Sequence, residues 1–511
     1  MDMHSAPAPL VTDHRRKLIL FLFLMTAMFM ATLDNQIVAT ALPTIVGEFG
    51  HLEQFSWVGS AYLLSVSAVM PLYGKLGDLF GRKYVMMSAI LIFTIGSAIC
   101  GLAISMNTLI AARVLQGLGG GGIMVSIFAV NADLFEPRER ARYQSYSSLV
   151  LMASGAIGPV LGGAMSDLFG WRSIFLVNVP IGIVVLTGLA FMLPYRKPNR
   201  RPKIDYAGAI LLAIVTASVV LAADGAQLFD SLIAPQNIAV ICIGVAGAIA
   251  WVMVERRAVE PIIPLSLFSN STFSLLLVMS IMSGAIGIGM VNYFALFLQT
   301  TTGLSPSAAG GFFILLTGGI VCGSLSAGRI ISATGRYKPL AIASLSCSAV
   351  AFALISQVHA GTPLFVIGAL MMMHGIGVGL AQQVPVIGVQ NATPARDVGA
   401  ATGSVTLSRM GGASIAISIY GAIVGSQLGG SGSVIPGVSN IEELTPKMMA
   451  TLPDAVKQAV ADAYSHAFTP LFVTSCGIAV IGLIAALLLK PVQLPRTVSG
   501  ARSTTIAEAS E

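Results

Sequence analysis

Fourteen apolar stretches recur along the chain, each about as long as the hydrocarbon core of a bilayer is thick. They fall near 18–43, 56–76, 84–105, 108–131, 145–166, 172–193, 207–225, 236–254, 273–298, 308–331, 339–358, 362–388, 403–424 and 467–489. A helix needs about 20 residues to cross that core. Backbone exposed to lipid has no water to satisfy it, so each stretch must be a helix that closes its own hydrogen bonds. Barrel strands are about half as long and alternate in polarity; these stretches do not alternate. The charge content agrees. Asp, Glu, Lys and Arg make up 10% of the 511 residues, and 55% are hydrophobic. An ordinary soluble domain carries about 25% charge. The 28 bases and 22 acids are too few to coat a soluble chain of this length, so soluble and disordered chains are both excluded. The expected fold is an all-α integral membrane protein with fourteen transmembrane helices.

Other classes fall away on chemistry. The cysteines Cys100, Cys242, Cys322, Cys347 and Cys476 are scattered, with no CxxC pair, so no zinc or disulfide framework is expected. A phosphate-binding Gly-x4-Gly-Lys-Ser/Thr loop is lacking. A membrane enzyme would need a catalytic constellation, and six histidines with no HExxH and no serine elbow do not supply one. The net charge of +6 does not indicate nucleic acid, because the bases sit in short loops between apolar runs. Arg15-Arg16-Lys17 before an apolar run resembles a signal peptide, but the run is too long and lacks a cleavage site, so it is expected to be an uncleaved first span.

The bases set the orientation. With the amino terminus inside, the inner segments hold 23 of the 28 Lys and Arg. They include Arg15, Arg16 and Lys17, then Arg138, Arg140 and Arg142, then Arg256 and Arg257. This asymmetry follows the positive-inside rule, and an even number of spans returns the carboxyl terminus to the same side. The expected location is the cytoplasmic (inner or plasma) membrane, multi-pass, with both termini cytoplasmic.

An internal repeat organises the spans. Gly74-Lys75 is followed by Gly81-Arg82-Lys83-Tyr84, and Gly328-Arg329 by Gly335-Arg336-Tyr337-Lys338, at the same offset of seven. If these loops correspond, 1–17 is a cytoplasmic tail and 18–195 a first six-helix bundle. Residues 196–262 are then an inserted pair of spans, 263–490 a second six-helix bundle with a long outer loop at 425–466, and 491–511 a second tail. Two facing parallel repeats are one architecture of rocker-type transporters.

Four blocks carry a resemblance. Gly74-Lys75-Leu76-Gly77-Asp78-Leu79-Phe80-Gly81-Arg82-Lys83 resembles the signature loop of the major facilitator superfamily. Gly158-Pro159-Val160-Leu161-Gly162-Gly163 resembles its antiporter motif. The block Leu33 to Pro43 and the block Trp171 to Gly182 resemble those of its fourteen-span drug:proton antiporters. Gln36 stands where those proteins usually carry threonine, and Ser173 where they carry an aromatic residue. The resemblance implies proton-coupled export of lipophilic, often cationic small molecules across the cytoplasmic membrane by alternating access. The proton gradient would supply the energy and no cofactor or metal would be needed. Small lipophilic molecules, protons and membrane lipid are the implied partners, with a periplasmic adaptor protein as a further candidate. A dedicated exporter or proton-coupled importer of one metabolite is the alternative, and a channel or receptor fits the repeat less well.

The candidate residues follow from position and chemistry. Asp34 lies in an apolar span, where a carboxylate is costly and marks function by default. Arg113 lies at a comparable depth in the fourth span and is its candidate partner for proton coupling; a purely structural pair is the alternative. Gly74, Lys75, Asp78, Gly81 and Arg82 form a candidate gating loop, in which Asp78 either pairs with Arg82 or caps a neighbouring helix start. Gly155, Gly158, Pro159, Gly162 and Gly163 make a smooth face for close helix packing, with a kink expected at Pro159. Gln36, Asp224 and His374 are candidate cavity residues. Arg409 is expected to open the thirteenth span and reach toward the inner interface.

Overall fold

The structure, a computed structural model, describes residues 11, 13–49, 55–196, 205–223, 225, 233–304, 306–359, 361–430 and 454–494. The chain is helical: α1 (His14–Phe49), α2 (Phe55–Phe80), α3 (Arg82–Gly101), α4 (Met106–Leu134), α5 (Pro137–Phe169), α6 (Ser173–Leu176), α7 (Asn178–Met192), α8 (Tyr206–Ala223), α9 (Pro235–Glu255), α10 (Ser271–Gly287), α11 (Val291–Thr301), α12 (Pro306–Thr334), α13 (Lys338–Ile355), α14 (Leu364–Gln382), α15 (Val384–Ala392), α16 (Val398–Gly430) and α17 (Asp454–Leu488). Among the described residues, ten helical stretches are long and apolar enough to cross a membrane. Two more, Tyr206–Ala222 and Ser271–Gly287, are apolar but shorter. Outward faces carry side chains such as Phe191 and Ile314, 83% and 72% exposed, as a surface solvated by lipid requires.

Two bundles form. In the first, α4 packs on α2 and α3, and α1 on α5 and α7, around Leu20, Phe93 and Ile123. In the second, α14 packs on α12 and α13, and α10 on α16 and α17. Its centre is a stack of phenylalanines, Phe294, Phe352, Phe468 and Phe472. The bundles meet along two seams, α2 on α16 and α5 on α12, while α8 and α9 pair with each other and α8 rests on both α2 and α16.

The repeat is visible in the backbone. Gly81 and Gly335 both adopt positive φ, 91° and 70°, a conformation that glycine enters without a Cβ penalty. Each turns the chain sharply between two helices. One cycle earlier, Gly74 and Gly328 lie where the seams are tightest. A Cβ on Gly74 would collide with the carbonyl oxygen of Gly399, and one on Gly328 with the Ser145 hydroxyl.

Three expectations from the sequence are corrected. The thirteenth apolar helix begins at Val398 and not near 403, because the small residues of its first turns pack directly on α2 at Gly74, Met70 and Pro71. Arg409 therefore sits several turns inside the helix and does not open it. The outer loop 425–466 is shorter than expected: residues up to Gly430 continue α16, and those from Asp454 start α17. An apolar helix propagates cheaply once nucleated, and Val460 and Tyr464 are buried against the second bundle. The first helix runs on past Pro43 to Phe49. The remainder of that loop, 431–453, and Asp224 lie outside the described residues.

Candidate functional site

Asp34 and Arg113 meet in the interior of the first bundle. Helix α1 places Asp34 and α4 places Arg113, and both are buried. Arg113 Nη1 donates to Asp34 Oδ2 at 2.5 Å. The other carboxylate oxygen accepts from Gln116 Nε2 at 2.8 Å and from Asn178 Nδ2 at 2.9 Å. Gln116 lies one helical turn beyond Arg113, and its Oε1 accepts a second bond from Arg113 Nη1 at 2.6 Å. Ser97 on α3 accepts from both amides, at 2.6 and 3.3 Å. The guanidinium also donates through Nε to the Val58 carbonyl, 3.1 Å away, and lies 4.2 Å from the centre of the Tyr62 ring. Four helices of one bundle thus converge on a single carboxylate, with α2 supplying Tyr62 and the Val58 carbonyl.

The carboxylate and its donors form one buried polar network. An ionised carboxylate accepts at both oxygens, and here three donors serve it. A proton on Asp34 converts an acceptor into a donor and weakens the charge-assisted bond to Arg113. Arg113 Nη2 is buried without a partner, so the guanidinium is not locked from every side. Removing one partner from such a buried pair leaves an uncompensated charge, at a cost of about 3–5 kcal/mol.

The gating-loop residues lie at the end of the bundles that carries most of the basic residues. Asp78 accepts from the amides of Gly399 and Ala400, both at 3.1 Å, in the first turn of α16. The first amides of a helix are unpaired, and an anion is favoured there. Arg82 bonds Asp78 at 2.9 Å and Asp133 of α4 at 2.8 Å. Lys75, nearly fully buried, bonds Glu260 at 3.2 Å and lies 3.9 Å from Asp397. Across the other seam, Arg138 donates to the carbonyls of Ala333 and Leu494. Arg140 donates to Gln390 at 3.2 Å, and Gln383 donates to the Gln144 carbonyl at 2.8 Å. These bonds join the bundles at the basic end. On the seam helices toward the other end, Gly59, Gly311 and Gly318 face open space. The bundles are thus joined at the basic end.

The remaining candidates separate. Gly158 packs on the Gln36 side chain, where an added Cβ would stand 2.5 Å from Gln36 Cβ, and Gly155 lies beside the same residue. The glycine face of α5 therefore lies on α1. Pro159, Gly162 and Gly163 continue within the same helix, which is unbroken from Pro137 to Phe169. His374 is not brought near Asp34. It sits in the aromatic core of the second bundle, 4.4 Å from the Phe352 ring centre, with Nε2 3.1 Å from the Ile286 carbonyl oxygen. Arg409 donates to the Gln382 carbonyl at 2.7 Å, at the break between α14 and α15. At the far end of α1, Glu48 bonds Trp171 at 2.6 Å and Arg172 at 2.8 Å. The Arg172 bond first, and then the indole bond, hold the Glu48 carboxyl below its usual range.

Sequence reasoning did not single out Ser97, Gln116, Asp133, Asn178, Glu260 or Gln390. Two of them carried a usable signal. Gln116 shares a helix face with Arg113 at i and i+3, and Asn178 lies within the quoted block entering the sixth span.

The chain belongs to the major facilitator superfamily, whose family model matches residues 24–417, and it is a membrane transporter rather than an enzyme. Among its relatives is the MFS-type transporter Rv1877 of Mycobacterium tuberculosis, 34% identical over 499 residues, covering 96% of this chain and 72% of the relative. Two from Bacillus subtilis are the multidrug transporter protein MdtP, 29% identical over 94% of each chain, and multidrug resistance protein 3, 30% identical over 88% of this chain and 90% of the relative. Solved structures share the fold. A bacterial homologue of the iron transporter ferroportin in an outward-facing state has a TM-score of 0.64 at 12% identity, covering 93% of this chain and 98% of its own. The proton:xylose symporter XylE has a TM-score of 0.60 at 14% identity, covering 94% and 98%.

Proposed function

We propose that this transporter is a drug:proton antiporter that exports lipophilic small molecules, cations among them, by alternating access. The observation that carries the reading is the carboxylate of Asp34, buried in an apolar bundle and served by Arg113, Gln116 and Asn178. No topological role explains a carboxylate at that depth, and the network around it ties four helices that must move together. The similarity to multidrug efflux proteins supports the substrate class. The long seam helices α2 and α5 and the two shorter apolar helices, counted with the ten spans, give fourteen crossings. The basic end faces the cytoplasm, so the joined end is the inner gate. Asp78, held by Arg82, closes that gate by capping α16, in a contact that one conformation makes and the other breaks. Protonation of Asp34 from outside loosens its hold on Arg113, and release inside restores it. In proteoliposomes, Asp34→Asn should abolish substrate-driven proton movement while downhill substrate exchange survives. If that variant still couples efflux to proton entry at the normal ratio, Asp34 does not carry the proton.

A further inference from the structure

The inserted pair of helices does more than extend the chain. Past the end of α9, the segment 256–264 folds back on its own helix. The amides of Ile262 and Ile263 donate to the Glu255 carboxylate at 3.2 and 2.8 Å. Ile262 and Ile263 form one buried cluster with Leu212, against which Leu72 of α2, Leu407 of α16 and Trp251 of α9 pack. Two residues before Ile262, Glu260 accepts from Lys75 Nζ at 3.2 Å. Lys75 is 4% exposed, and its other acidic neighbour is Asp397, just before α16. The segment therefore fills the corner where α2 of the first bundle meets α16 of the second.

Its tethers are unequal. After Ile263 the chain enters a single 3₁₀ turn, Leu265–Ser269, and then α10. Asn270 at that junction donates to the Ala392 carbonyl of α15 at 3.2 Å. The segment is thus bound closely to the second bundle. Opening the basic end requires α2 and α16 to separate, and a unit tethered to the second bundle must then leave α2. The contacts it loses are Lys75 with Glu260, and Leu72 with the cluster that holds the isoleucines.

We infer that Glu260, Ile262 and Ile263 form a latch, supplied by the inserted helix pair, that holds the inner gate shut by gripping α2 and releases when the gate opens. This rests on the alternating-access reading above. The test uses the full chain with its five cysteines replaced, reconstituted in nanodiscs. Ser324 is buried on α12, against the Ser145 carbonyl across the second seam, so Ser324→Cys reports opening by its rate of reaction with a polar maleimide. Loss of a charge-assisted hydrogen bond at a largely buried site should shift the equilibrium by about tenfold. Glu260→Gln should therefore speed labelling about tenfold. Without Ser324→Cys, bridging Leu72→Cys to Ile262→Cys with a short bis-thiosulfonate should stop transport, and reduction should restore it. A Ser324→Cys protein that never labels, even during turnover, would overturn alternating access itself. Labelling that occurs but is unchanged by Glu260→Gln would overturn the latch alone. So would a bridged protein that transports at the unbridged rate, and that measurement decides the matter if Glu260→Gln does not fold.

Discussion

At Asp34 the count of donors decides what each substitution costs. Three donors reach its two oxygens, and Arg113 supplies the only opposite charge within bonding distance among the described residues. Arg113→Met should destabilise the protein by about 3–5 kcal/mol, because a buried carboxylate is left uncompensated. Asp34→Asn combined with Arg113→Met removes both charges and should recover much of that loss. Thermal unfolding of the purified variants checks this. A double variant no more stable than Arg113→Met would mean that the pair is not coupled. Asp34 and Arg113 were legible in the sequence because an ion inside an apolar run has no ordinary explanation. Ser97, Gln116 and Asn178 were not, because single hydroxyls and amides are common in membrane helices as packing groups. Only their shared network around one carboxylate, drawn from α3, α4 and α7, marks them out.

At the scale of helices, backbone approach sets the seams. On α2, Gly74 and Gly77 stand three residues apart in the same loop motif, but their surroundings differ. A Cβ at 74 would strike the backbone of Gly399, which cannot yield without parting the helices. A Cβ at 77 would lie 3.7 Å from the flexible end of Arg82. Gly74→Ala should therefore abolish most transport while Gly77→Ala keeps it near the normal level, read as efflux rate at equal protein in the membrane. Equal loss in both would show that motif glycines act through turn geometry and not through the seam. The sequence motif marked both glycines alike, since it records residue type and not the neighbour across the seam. Helix starts were misread for a similar reason. The small residues before Gly403 resemble a loop in composition, and they become helix because α2 packs directly on them.

At the scale of the molecule, the all-helical class was the most legible, since lipid leaves helices as the only way for a lone chain segment to cross. The difference between the halves was not legible. The repeat aligns their loops, yet the first bundle buries an ionic network around Asp34, and the second buries His374 among phenylalanines. The proposed orientation rests on the count of bases along the sequence, which the positive-inside rule assigns to the cytoplasmic side. Two exposed positions test it. Ile104, 85% exposed, lies in the short turn between α3 and α4 at the end away from the bases. Val259, 76% exposed, lies just past α9 at the basic end. In a cysteine-free background, Ile104→Cys should react with an impermeant maleimide added to intact cells, and Val259→Cys only in everted vesicles. Position 259 lies within the segment 256–264 and 104 beyond the Asp34 network, so the same pair also fixes which side each of these faces. Reaction of Val259→Cys from outside would reverse the molecule in the membrane, and with it the direction in which protonation of Asp34 drives transport.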